Sequence, residues 1–496
     1  MAEVKVAFIG GGSYQWGINI ARDMLVTKGL DGSELVLMDV NAKAAQDVRR
    51  AALKTQKRAK SNWKITTTTS RKRALQNADF VVLCVSVGGF DSMEHDLEVP
   101  WKYGVHQTVG DTVGPGGLNR LLRNAPLFAE FIQDVERYCP NAWVLNLTNP
   151  MTTLTRTLYT EAKQSTKIVG LCHEVYGAWS YVTAMLGIHA EDPKFDMQIS
   201  GINHCIWMVS CTYDGKDIYP QFRKAMKSKQ TAWKNFKSRW TGDFQGEFMP
   251  QLAVLKKKKK SSKTSKEEDE KKAREAFENT WKHNTVKRHL CNMTDYLPCV
   301  GDRHIVEFFG HFTQDVEAIS ETWKSHVTTI EDRRKGWLPP MKQRTLDIGS
   351  GKEKMSLTCS HEPVAPIMDA IANNQTYYLK AGNLPNVGQI PNLPHGAVVE
   401  TPCMVTAGGV QPVVVGDLPH SVAAVVSGHV HRQELAVQAA LNADRNLARA
   451  ALVSDPMVQD EATAEKMLNE MMRKTSEWLP QFYPKKKRRR KSSKKK

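Results

Sequence analysis

The run Ile9-Gly10-Gly11-Gly12-Ser13-Tyr14-Gln15-Trp16-Gly17 follows an apolar segment, Val4 to Ile9, and precedes a segment of helical spacing. Residues without side chains at such a turn let the backbone approach a pyrophosphate. The helix start beyond it directs amides and a dipole at the charge. Asp39 ends the next apolar run, Glu34 to Met38, where a carboxylate can accept hydrogen bonds from ribose hydroxyls. Together these residues predict a dinucleotide site on Gly10, Gly11, Gly12, Ser13 and Asp39, with the acid favouring NAD over its phosphorylated form. The match to GxGxxG is incomplete: Gly10 and Gly12 fit, but Gln15 stands at the third glycine position. Tight glycine turns also close ordinary βα units.

The elements that must position this turn alternate along the first third of the chain. Strands are expected at Val4 to Ile9, Glu34 to Met38, Phe80 to Ser86 and Ala142 to Leu147. Helices are expected at Ile18 to Leu30, in the basic stretch after Asp39, and at Leu118 to Tyr138; a glycine turn falls at Gly88-Gly89. This alternation predicts an α/β fold, with a Rossmann-type parallel sheet domain over residues 1–170. From Ile168 on, strands and helices mix, as in an α+β C-terminal domain over residues 171–484. The Ala/Leu-rich stretch Glu434 to Met472 has helical period and is expected to pack that domain together. No internal repeat is visible.

The 496 residues suit two or three domains, and 41% hydrophobic content supplies a large core. The formal charge of +17 first suggests a polyanionic partner. Its distribution argues otherwise. Lys485 to Lys496 holds ten basic residues and no acid, and Lys256 to Arg274 holds ten basic residues against four acids, which leaves about +1 for everything else. The first block reads as a basic disordered tail and the second as an exposed, partly disordered insertion. The start MAEVKVAFIGGG lacks a secretory leader, and the longest apolar run, Phe80 to Val87, is only strand-length. Nine cysteines without CxxC pairs fit a reducing interior. A cytoplasmic protein without membrane or specific nucleic-acid partners is expected.

Several later segments resemble one family, the NAD- and metal-dependent glycosidases of glycoside hydrolase family 4. They are VAFIGGGS (6–13), GDTVGPGGLNRLLR (110–123), NLTNP (146–150), GLCHEVYG (170–177), INHCIW (202–207), GDRHIVEF (301–308) and IPNLPHGAVVETP (390–402). The helix ELAVQAALNADRNLARAALVSDP (434–456) and WLPQF (478–482) continue the likeness, which runs in order through all but the Lys-rich insertion and the tail. The family stands outside the two-carboxylate scheme of most glycosidases. The resemblance implies a C-terminal domain of the lactate/malate dehydrogenase kind and a redox-assisted elimination. NAD takes a hydride from C3 of the sugar, and a base removes the acidified C2 proton. A divalent metal, typically Mn²⁺, polarises the sugar oxygens. The C1 group leaves, water adds, and the hydride returns. A saccharide substrate and a dimer or tetramer are implied as well.

Residue by residue, Cys172 and His204 match the family's metal ligands, a thiolate and an imidazole suited to a divalent ion. By type alone they would be a buried small apolar residue and a core histidine; Cys205 and Cys211 are read as packing. His173, where other branches carry Asp or Asn, is implied to touch the C2 or C3 hydroxyl or to help protonate the leaving oxygen. Asn149 is implied to meet substrate hydroxyls, against a plain turn residue before Pro150. Asp111 matches an acid that raises the basicity of the proton-abstracting group. Arg303 and His304 match a segment reaching the sugar, the alternative being an ion pair with Asp302. The base falls some fourteen residues before Arg303, at His289, with Tyr296 second and Asp295 third.

Two departures narrow the substrate. The phosphoglycosidase branch carries an Arg where Met93 stands, and CN or CD where this chain has Cys172-His173. The CHEV motif resembles the α-galacturonidase type, and Arg120 or Arg123 could meet a C6 carboxylate; Glu174 would repel that group if it faced the sugar. An α-glucosidase or α-galactosidase of the same family is the alternative. A 2-hydroxy-acid dehydrogenase shares the two-domain plan, but it needs no metal and would accumulate NADH. The tail KKKRRRKSSKKK could bind nucleic acid electrostatically, without interleaved aromatics.

Overall fold

The computed structural model describes residues 2–164, 166–240 and 266–484. Six short strands form the first half: β1 (Lys5–Ile9), β2 (Glu34–Met38), β3 (Lys64–Thr68), β4 (Phe80–Leu83), β5 (Trp143–Asn146) and β6 (Lys167–Gly170). They pair parallel in the order β3-β2-β1-β4-β5-β6, the doubly wound Rossmann arrangement. Central strands such as FVVL and WVLN are buried on both faces because helices cover both sides. β3, KITTT, was not expected from the sequence: it is an edge strand with one buried residue, so its apolar signal is faint.

The sheet continues antiparallel through β7 (Phe195–Ile202), β8 (Cys205–Tyr213), β9 (Lys216–Asp217), β10 (Leu297–Pro298), β11 (Tyr377–Pro385), β12 (Val398–Thr406) and β13 (Gly409–Pro412). Two joints hold it together with single residue pairs, Asn383 with Gly170 and Glu400 with Gly201. The α/β class is the expected one, a Rossmann-type sheet followed by an α+β portion.

Several boundaries differ from the sequence reading. The first helix ends at Val26, followed by a 3₁₀ turn at Lys28–Leu30 around Gly29. The helix expected from Leu118 begins at Gly114, since Pro115 is tolerated in a first turn. A helix at Gly89–Trp101 was read only as a glycine turn. From inside the Lys-rich block to beyond its end, Lys266–Lys282 is helical, because Ala273 and Phe277 lie one turn apart and are buried. The block's part 256–265 and the tail 485–496 fall outside the described residues. The Ala/Leu-rich stretch forms the helices His420–Asn442, Arg445–Val453 and Glu461–Lys474. They pack on one another and on β7, and also onto the helices Gly114–Tyr138 and Gly89–Trp101 of the first half. No helix among the described residues is long and apolar enough to cross a membrane.

One ion pair locks the helices beside the cradle. Arg123 Nη1 and Nη2 donate to Asp96 Oδ1 and Oδ2, each at 2.7 Å, with both side chains fully buried. Asn119 Nδ2 adds a bond to Asp96 Oδ1 at 2.8 Å. Arg123 is thereby committed to the fold and is not free to meet a substrate carboxylate. This corrects one of the two arginines expected to do so.

Candidate active site

The glycine turn lies between β1 and the helix Gly17–Val26. Gly10 has φ +89°, and a Cβ there would fall 1.9 Å from the Cys84 carbonyl at the end of β4. The Gly12 N–H donates to Asp39 Oδ2 at 3.0 Å, and the Asn41 N–H donates to Oδ1 at 2.8 Å. Asp39 is thus aimed at the turn from the end of β2, with lone pairs left on both oxygens. Ser13 closes the turn: its N–H donates to Gly10 O at 3.0 Å, and its Oγ accepts from Trp16 N–H at 3.2 Å. The close approach missing at exposed Gln15 is made by Gly17, whose Cβ would sit 2.9 Å from Gly11 O in the turn. A cradle emptied of side chains, with an acid beside it, fits a dinucleotide.

A second group of side chains gathers at the carboxyl ends of the strands. Cys172 follows β6, and His204 occupies the two-residue turn Asn203-His204 between β7 and β8, with φ +61°. That turn brings His204 Nε2 to 3.5 Å from Cys172 Sγ. The other ring nitrogen, Nδ1, is 2.8 Å from Thr112 Oγ1, whose hydroxyl donates to Asp111 Oδ1 at 2.9 Å. With Nδ1 serving as donor, Nε2 keeps its lone pair toward the sulfur. Burial, reinforced by His304, pushes the His204 pKa down to about 3, so the ring is neutral. Donor atoms of Asp111, His204 and His304 lie within 4.8 Å of one another, and the two imidazole centroids are 3.9 Å apart. His304 Nδ1 is buried without a hydrogen-bond partner. Burial also pushes the Cys172 thiol well up, with Glu400 and Glu174 adding to the effect, so a thiolate there requires a cation. A neutral imidazole, a buried thiol, a carboxylate and a second imidazole fit a divalent ion.

Charged groups surround these donors. Burial opposes ionisation of Asp111, but His304, Arg120 and Arg333 outweigh it and hold its pKa at about 2. Arg120 Nε donates to Asn149 O at 2.9 Å, which places Asn149 and Arg120 together at the end of β5. Glu174 turns toward Gly301, whose N–H donates to its Oε2 at 2.7 Å; its Oε1 is 4.0 Å from His304 Nε2. His173 Nδ1 is 2.8 Å from Glu362 Oε1, and its ring packs on Trp16 at 5.6 Å. Although burial opposes the charge, Glu362 lifts the His173 pKa to about 9. Asp302 makes no ion pair with Arg303 or His304; its carboxylate accepts from the Val286 and Lys287 N–H groups at 2.8 and 3.1 Å.

Comparison with known proteins decides what this arrangement belongs to. Residues 5–188 match the family 4 glycosyl hydrolase description and residues 199–458 its C-terminal domain. The chain belongs to glycosyl hydrolase family 4. The alpha-galacturonidase of Thermoanaerobacter italicus is 32% identical over 484 residues, covering 96% of this chain and 97% of its own. The crystal structure of lplD from Bacillus subtilis superposes with TM-score 0.77 at 30% identity, covering 95% of this chain and all of that one. A 6-phospho-alpha-glucosidase from gut microorganisms, in complex with NAD and Mn²⁺, has TM-score 0.75 at 19% identity over 96% of this chain and 99% of its own, a likeness of fold.

Within this family 4 hydrolase, the three base candidates make their contacts with other residues than the donor cluster. His289 is exposed, its ring edge-on to Trp323 at 4.9 Å and Phe312 at 6.1 Å. Tyr296 packs on Tyr219 at 6.0 Å, and Asp295 pairs with Arg223 at 3.4 Å. None of the three shares a hydrogen bond or ion pair with Cys172, His204, Asp111 or His304 among the described residues. The helix Thr285–Thr294 is pinned at its start by Asp302, and this directs His289 onto the aromatic shelf. Met93 packs with Leu97 and Ile330, and Cys205 and Cys211 are buried in apolar clusters.

Four residues around the site had no role in the sequence reading. Glu307 is buried and accepts from the Val109 and Gly110 N–H groups at 2.6 and 2.9 Å, fixing the loop that carries Asp111. Arg333 donates to Val109 O at 3.0 Å and packs on Trp337. Glu362 and Glu400 reach the site from distant segments. Glu307 stood within GDRHIVEF and could have been singled out there as an acid in an apolar run. Glu400 stood likewise within IPNLPHGAVVETP, whereas Arg333 and Glu362 carry no local signal.

Proposed function

We propose that this chain hydrolyses α-galacturonides by oxidation at C3, elimination across C2 and C1, hydration and re-reduction. The observation that carries this reading is the convergence of Cys172 Sγ and His204 Nε2 at 3.5 Å beside a side-chain-free dinucleotide turn. Cys172 and His204 would hold the divalent metal, Mn²⁺, with Asp111 and His304 within reach, and Gly10, Gly11, Gly12, Ser13 and Asp39 would hold NAD. When bound, the dinucleotide supplies a hydride acceptor and the metal polarises sugar oxygens. Residues 1–170 and 171–484 are read as the two portions that bring these sites together.

Thr112 keeps His204 in the tautomer that leaves Nε2 free, and Glu307 holds the loop on which Thr112 and Asp111 sit. His173, held through Nδ1 by Glu362, points its other nitrogen away from that carboxylate, as a donor to a sugar oxygen requires. Glu174 is occupied by Gly301 and His304, which relieves the repulsion it would otherwise exert on a uronate. Arg120 bonds through Nε alone and is only partly buried, so its terminal nitrogens can take a C6 carboxylate.

Arg120→Met tests this substrate class. The ratio of kcat/KM for an α-galacturonide over the matching neutral α-galactoside is expected to fall roughly 10- to 100-fold, the equivalent of ~1.5–3 kcal/mol for a hydrogen bond to a charged group. Wild-type enzyme that turns over only the neutral sugar overturns the galacturonide reading.

A further inference from the structure

Arg22 and Asp23 are consecutive residues of the helix Gly17–Val26, and both are buried. Burying such a pair is costly, and its attraction offsets the cost only when further hydrogen bonds complete the geometry. Here those bonds come from Ser360, separated from Asp23 by 337 residues of sequence. Asp23 Oδ1 accepts from Arg22 Nε at 2.8 Å and from the Ser360 N–H at 3.0 Å, and Oδ2 accepts from the Ser360 hydroxyl. Neither bond to Oδ1 depends on the charge, since a protonated carboxyl still accepts at its carbonyl oxygen. Ser360 Oγ accepts in turn from the Glu362 N–H at 3.2 Å. The Glu362 carboxylate, buried, lies 2.8 Å from His173 Nδ1. A chain of contacts thus runs from the helix beyond the glycine turn to the residue next to Cys172.

The segment that carries Glu362 is fastened on its far side as well. The helix Val364–Ala372 packs on Gly17–Val26, and Asn373 Nδ2 donates to Gly29 O at 2.8 Å. A second constraint on His173 comes from the same region. Its ring packs on Trp16 with centroids 5.6 Å apart, and the Trp16 N–H is held by Ser13 Oγ in the turn. One contact fixes an edge of the imidazole and the other fixes its tilt. Nδ1 faces Glu362 while 38% of the side chain stays open, which leaves Nε2 as the nitrogen that can meet a ligand.

We propose that Asp23 and Ser360, acting through Glu362, are positioning residues that hold the His173 imidazole against Trp16 and present Nε2 to the substrate. The proposal rests on reading His173 as a substrate contact. It concerns orientation, and the effect reaches the reaction only through that ring. A displacement of about 1 Å at a reacting centre can cost about 10²-fold in rate.

The test is a pair of double-mutant cycles on the full-length protein with NAD and Mn²⁺, assayed on the aryl α-glycoside that it cleaves fastest. Ser360→Ala, at a half-buried position, removes the hydroxyl that joins Asp23 to Glu362, and Glu362→Ala removes the carboxylate. Each is made in the wild-type chain and in His173→Gln. In the wild-type chain, kcat/KM is expected to fall about 10-fold for Ser360→Ala and about 100-fold for Glu362→Ala. In the His173→Gln background each is expected to change it by less than about twofold, because the ring that they orient is gone. The NAD dissociation constant is expected to stay within about twofold throughout. Equal losses in both backgrounds overturn the proposal whatever the melting temperature does, because a general structural defect adds to the loss of the ring. Wild-type kcat/KM in Ser360→Ala overturns it too, by detaching Asp23 from the ring. Wild-type turnover in His173→Gln refutes the reading of His173 itself, and the proposal falls with it.

Discussion

His204→Ala is expected to lower kcat/KM on the order of 10³- to 10⁴-fold, the several kcal/mol that a metal contributes when it polarises reacting oxygens. The side chain is 3% exposed, neutral, and oriented through Thr112 and Asp111, so no neighbour can replace its Nε2. His304 is the nearest imidazole, but its Nε2 faces Glu174. Calorimetric Mn²⁺ titration of the variant is expected to show binding lost in parallel, with NAD binding intact, because the cradle is built on β1 and β2. A variant that keeps more than a tenth of wild-type turnover removes His204 from the chemistry.

Asp96→Ala is expected to destabilise the fold by about 3–5 kcal/mol, because it strands the buried Arg123 guanidinium without its partner. Urea unfolding measures this directly. The pair is bidentate, fully buried, and joins the helix Gly89–Trp101 to the helix Gly114–Tyr138. A double change to Asp96→Leu and Arg123→Met, which removes both charges, is expected to recover most of the loss, since a paired buried charge contributes little net stability. The kcat of protein that remains folded is expected to be near wild type, and its preference between galacturonide and galactoside unchanged, in contrast to Arg120→Met. A single variant within 1 kcal/mol of wild type would show that water reaches the pair.

The residues with local chemistry were legible from the chain. The turn at Gly10–Gly12 needs a left-handed backbone and an open approach, and both leave glycines in sequence. Apolar runs such as FVVL announce strands covered on both faces. Cys172 and His204 were legible through GLCHEVYG and INHCIW, although nothing in either segment says that a hairpin turn brings them to 3.5 Å. What stayed hidden depends on contacts between distant segments. Arg120 and Arg123 look alike in sequence, three residues apart on one helix. One meets Asn149 at the strand ends, and the other meets Asp96 in the core. His289 and Glu400 invert expectation for the same reason. A histidine suited to proton transfer stands on an exposed aromatic shelf, while an acid in an apolar strand holds Asn203 in the turn that carries His204.

The central claim is that C1–O cleavage proceeds through oxidation at C3 and loss of the C2 proton. Turnover of an α-galacturonide in D₂O, with NAD and Mn²⁺ supplied, tests it most directly through the C2 position of the released sugar. The account predicts deuterium at C2 of the product without net accumulation of NADH. Product that retains only protium at C2, released at the full rate, would contradict it.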